Sequence, residues 1–160
     1  MWTVACAALG IAMLAQGCQA GGPQQRGLTT AAASDLAAAE RRGGHTLARH
    51  VGRTDDDLRD RLRREPGIAA ASTYTDRATA ERVIAAALTR SRRRVDAWVA
   101  RTGPRPNLAL EYAGAPGETI GRSIRRGETR SRPCSDAVVV LRWPPAGSFY
   151  VLTSYPEYRR

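Results

Sequence analysis

Apolar side chains recur with helical spacing in the first two thirds of the chain, in segments separated by turn residues. The spacing predicts short helices over residues 36–42 and 46–51, the first capped by Ser34-Asp35 and ended by two glycines. Thr54 followed by three aspartates forms a capping box, which predicts a third helix that ends at Glu65. Three short helices are therefore expected before the middle of the chain.

The longest amphipathic segment begins at Asp76, a predicted N-cap, and ends at Gly103-Pro104. Apolar side chains recur every three or four positions from Ala80 to Trp98, which predicts one long helix. Arginines between Arg90 and Arg101 occupy the rest of its surface. Such a run is typical of a solvated helix face, with a binding site as the alternative.

Short β-prone segments separated by glycine and proline turns follow this helix. Helices first and strands second predict an α+β fold, with N-terminal helices packed on a C-terminal antiparallel sheet. The predicted strands cover residues 107–112, 119–122, 137–143 and 148–155, and the loop 144–147 joins the last two into a hairpin.

The last predicted strand carries two polar side chains that can bind a ligand. Strict alternation places Thr153 and Tyr155 on one face, about 7 Å apart along the strand. They can hydrogen-bond a phosphate at the edge of the sheet, or they are ordinary strand residues on a half-buried face. The same alternation assigns Phe149 and Val151 to the face of Thr153, and Tyr150, Leu152 and Ser154 to the other.

The N-terminus has the character of an export signal. Residues 1–18 contain an apolar stretch of signal-peptide length that is too short to span a membrane. The stretch ends in a sequence that resembles a lipoprotein cleavage site, in which Cys18 would be lipidated and anchor the chain to a membrane. Residues 19–33 are predicted to be a flexible tether, and residues 34–160 to be the folded domain.

Charge and cysteine content narrow the class of protein. The chain has 160 residues and a formal net charge of +10, and every basic residue is arginine. This composition favours a polyanionic partner such as nucleic acid or an anionic membrane, although codon usage alone can also produce it.

Since Cys6 and Cys18 belong to the signal, Cys134 has no partner for a structural disulfide. No cysteine or histidine cluster has metal-ligand spacing.

Two histidines, His45 and His50, are the only groups whose ordinary pKa suits proton transfer near neutral pH. On a helix His50 shares a face with Thr46 and Leu47, which predicts a shielded ring at the edge of the core. A continuous helix would turn His45 about 140° away, so the two are not expected to form a dyad. A hydrogen-bonded core histidine and a helix cap are the structural alternatives.

The third helix offers two arginines to a neighbouring cleft. Its buried pair is expected to be Leu58 and Leu62, with Arg61 on one flank and Arg59 on the other. Periodicity does not choose between them, and an exposed arginine is the structural alternative for each.

Four separated motifs resemble the RNase A-like C-terminal toxin domain of bacterial contact-dependent growth inhibition proteins. They are residues 43–52 (GGHTLARHVG), 58–62 (LRDRL), 71–81 (ASTYTDRATAE) and 151–156 (VLTSYP), and they occur in the family's order. The resemblance implies an RNase A-like α+β fold without disulfides and a ribonuclease that needs no metal or other cofactor. It also implies an active site made of His50, Arg61, Thr153 and Tyr155, with His45 as the alternative histidine.

Taken together, these features predict an exported ribonuclease toxin that acts in interbacterial competition. The expected reaction is cleavage of RNA, tRNA included, through attack by the 2′-hydroxyl on phosphorus. The expected partner is a cognate immunity protein, and the expected location is the cell envelope, as a lipoprotein, or the medium, as a secreted monomer. The alternative is a non-catalytic basic surface lipoprotein or a decayed toxin that binds polyanions or a protein. A metal-dependent nuclease would require a carboxylate cluster that the sequence does not display.

Overall fold

The computed structural model describes residues 35–145 and 147–158, so the predicted signal (residues 1–18) and tether (19–33) lie outside the described residues. No helix in the described ranges is long and apolar enough to cross a membrane. Within them the chain forms five helices and six strands: α1 (Leu36–Arg41), α2 (Thr46–His50), α3 (Asp55–Arg64), β1 (Ala70–Tyr74), α4 (Arg77–Arg90), α5 (Arg92–Val99), β2 (Leu108–Tyr112), β3 (Gly121–Arg125), β4 (Arg132–Cys134), β5 (Asp136–Arg142) and β6 (Tyr150–Glu157).

The helix starts follow the capping chemistry of the sequence. The Asp35 carboxylate accepts a hydrogen bond from the backbone N–H of Ala38 at 3.0 Å. Thr54 forms a complete capping box with Asp57 at the start of α3, and Asp76 caps α4. These side chains satisfy N–H groups that have no partner inside the helix. The three predicted starts are therefore confirmed.

The single long helix expected after Asp76 is in fact two helices. Ser91 ends α4 and begins α5, with φ −96° and ψ 14°, outside regular helical geometry. A Ser at the junction favours a break because its hydroxyl competes for backbone hydrogen bonds. The apolar spacing nevertheless continues into α5, where Val95 and Trp98 are buried.

The six strands form two antiparallel three-stranded sheets, in the orders β1-β3-β4 and β2-β5-β6. The α+β class, with helices early and antiparallel strands late, is thus confirmed. Two strands were not expected from the sequence, β1 among the helices and β4 beside β3. Cys134, on β4, is a free thiol buried in the domain.

Two apolar clusters hold the layers together. The larger packs α1, α4 and α5 against the sheet β2-β5-β6, with Ile84, Trp98 and Val139 among its buried members. The smaller lies under α3, where the predicted pair Leu58 and Leu62 contacts β1 and β3. The smaller cluster holds α3 on the sheet β1-β3-β4, and it thereby positions Arg61 of α3.

A β-bulge in β6 corrects the alternation expected for the last strand. Val140 pairs with Thr153 whereas the next residue, Leu141, pairs with Val151, so Leu152 is an extra residue in β6. The insertion reverses the phase of the strand. Val151 is therefore fully buried in the core, on the face opposite to Thr153, and the prediction that these two share a face was wrong.

Candidate active site

A groove of about 630 Å³ lies where α2 and α3 meet both sheets. Residues of α2, α3, β1, β3 and β6 line it, and we call it the histidine groove. The five side chains that the resemblance implies for the active site are all among its lining residues: His45, His50, Arg61, Thr153 and Tyr155.

His50, the last residue of α2, has a fixed ring orientation. Its Nδ1 lies 3.0 Å from the backbone carbonyl oxygen of Ser72 on β1. A carbonyl only accepts hydrogen bonds, so Nδ1 carries the proton and donates. In the neutral ring Nε2 then has a lone pair, and Nη1 of Arg61 lies 3.4 Å from it. The fold therefore presents an imidazole nitrogen able to accept a proton, next to a guanidinium.

Burial controls the charge state of this imidazole. The side chain is only 6% exposed, and burial lowers the pKa of His50 from 6.5 to about 3. The hydrogen bond to Ser72 opposes this shift, and the positive charge of Arg61 adds to it. His50 is consequently neutral at neutral pH, the state that a general base requires.

The structure separates the two candidate arginines of α3. Arg61 lines the histidine groove and also forms an ion pair through Nε with Glu65, at 3.3 Å. Arg59 instead pairs with Asp56 at 2.7 Å and donates to the carbonyl of Thr129. Of the two flanks that periodicity left open, the Arg61 flank faces the groove.

Thr153 and Tyr155 face the groove from β6, side by side as expected from the strand spacing. Oγ1 of Thr153 is buried and has no hydrogen-bond partner among the described residues. The ring centroid of Tyr155 lies 5.5 Å from that of His50. Burial raises the pKa of the Tyr155 phenol, with a further contribution from the charge of Glu157. The phenol is thus protonated at neutral pH, and the Thr153 hydroxyl beside it is a donor without a partner in the groove lining.

His45 lies in the same groove as His50, although a continuous helix would have turned it about 140° away. It is the residue before α2 and has φ −149° and ψ 25°, so the helix does not continue through it. It occupies the predicted N-cap position, but its side chain forms no capping hydrogen bond. Its backbone N–H donates to the carbonyl of the bulge residue Leu152 at 3.0 Å. Burial lowers the pKa of His45, and the charge of Arg49 contributes.

A buried hydrogen-bond network fixes α2 on β6 behind the groove. Oγ1 of Thr46, one turn before His50, accepts from the backbone N–H of Ser154 at 2.9 Å. The Ser154 hydroxyl donates to the carbonyl of Val138 at 3.0 Å and accepts from the Tyr74 hydroxyl at 2.6 Å. Ser154 lies between Thr153 and Tyr155 in the chain, so the network that fixes Ser154 also sets the position of both neighbours relative to the imidazole of His50.

Sequence reasoning missed the part of the groove that β1 and β3 form. Ser72 carries the carbonyl that orients His50, and Ser123, Arg125 and Tyr158 are further lining residues. Ser72 lies in the motif 71–81, but β1 was not expected as a strand, so the role of its carbonyl was not predicted. Among the described residues no group of three or more His, Cys, Asp or Glu side chains is placed to hold a metal ion.

Comparison with known proteins identifies the family. Residues 44–156 match the family model of the bacterial CdiA-CT RNAse A domain. A crystal structure of a CdiA-CT/CdiI complex from Y. kristensenii 33638 is similar at a TM-score of 0.63 and 28% identity, over 72% of this chain and 100% of that one. No curated protein matches the chain. The resemblance inferred from the four motifs is confirmed, and the chain belongs to the bacterial family of CdiA-CT RNase A domains.

Proposed function

We propose that this chain is a metal-independent endoribonuclease toxin in which His50, Arg61, Thr153 and Tyr155 form the active site. One observation carries the proposal: the Ser72 carbonyl holds the proton on Nδ1 of His50, which leaves Nε2 free to accept another inside a groove that contains a cation. Membership of the RNase A domain family supports the reaction class.

In the proposed reaction Nε2 of His50 takes the proton of an RNA 2′-hydroxyl. The 2′-oxygen forms a bond to phosphorus, and the bond from phosphorus to the 5′-oxygen breaks. The products are a 2′,3′-cyclic phosphate and a 5′-hydroxyl, so the leaving oxygen must receive a proton. Tyr155 supplies it, because a phenol is more acidic than the departing alcohol even when burial raises its pKa.

Arg61 and Thr153 stabilise the negative charge that grows on the phosphoryl oxygens. A guanidinium donates two parallel hydrogen bonds to a phosphate, and the unpartnered Oγ1 of Thr153 adds a third donor. In the protein without RNA, Arg61 points at Nε2 of His50. A bound phosphate would draw the guanidinium to itself and offset its charge, which raises the basicity of His50 when substrate is present.

The test is cleavage of total RNA and purified tRNA in the presence of EDTA. We expect fragments that end in 2′,3′-cyclic phosphate and no cleavage where a 2′-deoxynucleotide replaces the attacking one. His50→Ala should abolish cleavage, and Arg61→Gln should reduce it by a factor of about 10² or more. Arg59→Gln is the matched control on the same helix and should retain activity.

Other outcomes would redirect the proposal. Loss of activity in His45→Ala with full activity in His50→Ala would transfer the role of base to His45. RNA binding without cleavage by the native chain would favour the alternative of a decayed toxin that only binds polyanions. Inhibition by EDTA that added Mg²⁺ reverses would contradict a metal-independent mechanism.

We also propose that the toxin is exported and has a cognate immunity protein. The similar crystal structure is that of a complex between CdiA-CT and CdiI, which supports an inhibitor as partner. Expression should be toxic unless the adjacent open reading frame is co-expressed, and toxicity that this frame does not relieve would argue against it. Lipidation is tested by Cys18→Ser, which should release the chain from the membrane fraction.

A further inference from the structure

We propose that a second cavity, on the other side of Arg61, binds a neighbouring phosphate of the RNA chain. This arginine cavity has a volume of about 280 Å³ and lies between α2 and α3. The inference rests on the proposed ribonuclease function, and it assigns to the same enzyme a separate binding site for the polynucleotide backbone. Four of its lining residues are arginines: Arg49, Arg53, Arg61 and Arg64.

The two cavities share one side chain. Arg61 lines the histidine groove, where Nη1 lies 3.4 Å from His50, and it lines the arginine cavity as well. A guanidinium has five N–H donors in a planar fork. When the scissile phosphate of an RNA strand lies in the histidine groove, an adjacent phosphate of the same strand would lie in the arginine cavity. Arg61 would then lie between the two phosphates.

The positive charge of the arginine cavity is only partly neutralised by the protein, because four arginines face two carboxylates. Glu65 pairs with Arg61, and Asp57 accepts hydrogen bonds in the capping box of Thr54. Arg49 and Arg64 form no ion pair with any residue in the described ranges. Two exposed guanidinium groups are thus available beside an excess of positive charge.

One guanidinium of the cavity lining has a donor without a partner. Nε of Arg53 is buried and has no hydrogen-bond partner among the described residues. Nη2 of the same side chain donates to the carbonyl of Leu47 at 3.4 Å. An unmade hydrogen bond of a buried charged group is costly, so the protein does not fully satisfy this guanidinium.

The lining chemistry selects phosphate rather than a nucleobase. No aromatic side chain is among the residues that the structure places around this cavity, so a base has no aromatic ring to stack on there. Guanidinium forks match the paired oxygens of a phosphodiester. The site is consequently expected to read the backbone and not the sequence of the RNA.

The experiment uses the double variant Arg49→Gln/Arg64→Gln and two substrates that share one cleavage step. The first is a ten-nucleotide RNA, and the second is the dinucleoside monophosphate of the mapped cleavage step, which has no second phosphate. We expect KM for the longer RNA to rise about tenfold or more and KM for the dinucleoside monophosphate to stay unchanged. The salt dependence of log(kcat/KM) should become shallower by about 0.7 for each lost phosphate contact.

The control is Arg92→Gln/Arg93→Gln on α5, which removes the same charge from a helix that lines neither cavity. Equal effects of the two double variants, or an equal loss on the short substrate, would overturn the subsite. Binding of the ten-nucleotide strand with 2′-deoxy sugars is measured in parallel by fluorescence anisotropy. Weaker binding of this strand by the double variant would support the subsite even if neither the native chain nor any variant cleaved the ten-nucleotide RNA. That absence of RNA cleavage would contradict the proposed catalysis.

Discussion

Acidification between pH 6.5 and pH 4.5 should destabilise this protein through His50. Burial lowers the pKa of this imidazole to about 3 in the folded chain, against 6.5 when it is exposed to water. The unfolded chain therefore binds a proton in this interval that the folded chain does not bind. Stability is highest above the unfolded pKa and falls as the pH decreases toward the folded one.

The magnitude follows from the two pKa values. A proton bound only by the unfolded chain changes the free energy of unfolding by up to about 1.4 kcal/mol for each pH unit. Over the interval from pH 6.5 to 4.5 this amounts to about 2 kcal/mol, because His50 of the unfolded chain is already half protonated at the upper limit. Burial also lowers the pKa of His45, which adds to the loss of stability in the same interval, so the contribution of His50 must be isolated with a variant of that residue.

The assay is urea denaturation at closely spaced pH values for the native chain and His50→Asn. The amide nitrogen of asparagine matches the position of Nδ1, which donates to the Ser72 carbonyl, but the side chain does not titrate. The stability of the variant should therefore decrease less than that of the native chain, by about 2 kcal/mol over the interval. The imidazole signal in NMR titrations gives the pKa directly. Parallel stability profiles for the two proteins, or a folded-state titration of His50 near 6.5, would refute the reasoning.

Three further predictions concern the structure around the site. Thr46→Val leaves the buried N–H of Ser154 without its acceptor, and we expect a loss of about 1–3 kcal/mol in urea denaturation, largely restored in Thr46→Ser. Gly44→Ala places a Cβ 2.8 Å from the backbone oxygen of Val151, and thermal denaturation should show a destabilisation of roughly 1–3 kcal/mol. Burial raises the pKa of the Cys134 thiol to about 12, so site-resolved mass spectrometry should find it alkylated only after unfolding.

The parts of the fold that local chemistry determines could be predicted from the sequence. The capping box at Thr54 and the pair Leu58 and Leu62 define α3 through contacts within a few residues, and the structure retains all of them. β1 was missed because Ala70 to Tyr74 contains small residues between two helices. Its strand conformation depends on pairing with β3, a segment about fifty residues away.

The geometry of the groove depended on two features that periodicity does not contain. The position of His45 follows from a non-helical N-cap backbone, whereas the spacing argument assumed that the helix continued through it. The faces of β6 follow from register with β5, which a pattern within one strand does not determine. The residue types of the candidate site were recognisable from the motifs, but their common location required the tertiary structure.

The extra residue in β6 lets one strand serve two environments in succession. Upstream of Leu152 the inward position belongs to Val151, and downstream Thr153 and Tyr155 turn the other way while Ser154 takes the inward place. A deletion of Leu152 would preserve every side chain of the candidate site and still put half of the strand out of phase. Either the hydroxyl groups of Thr153 and Tyr155 would enter the apolar interior, or Val151 would face the groove. The number of residues in this segment is therefore as strict a requirement as their identity. Members of the family that have an insertion or a deletion at this point are expected to have a disrupted site.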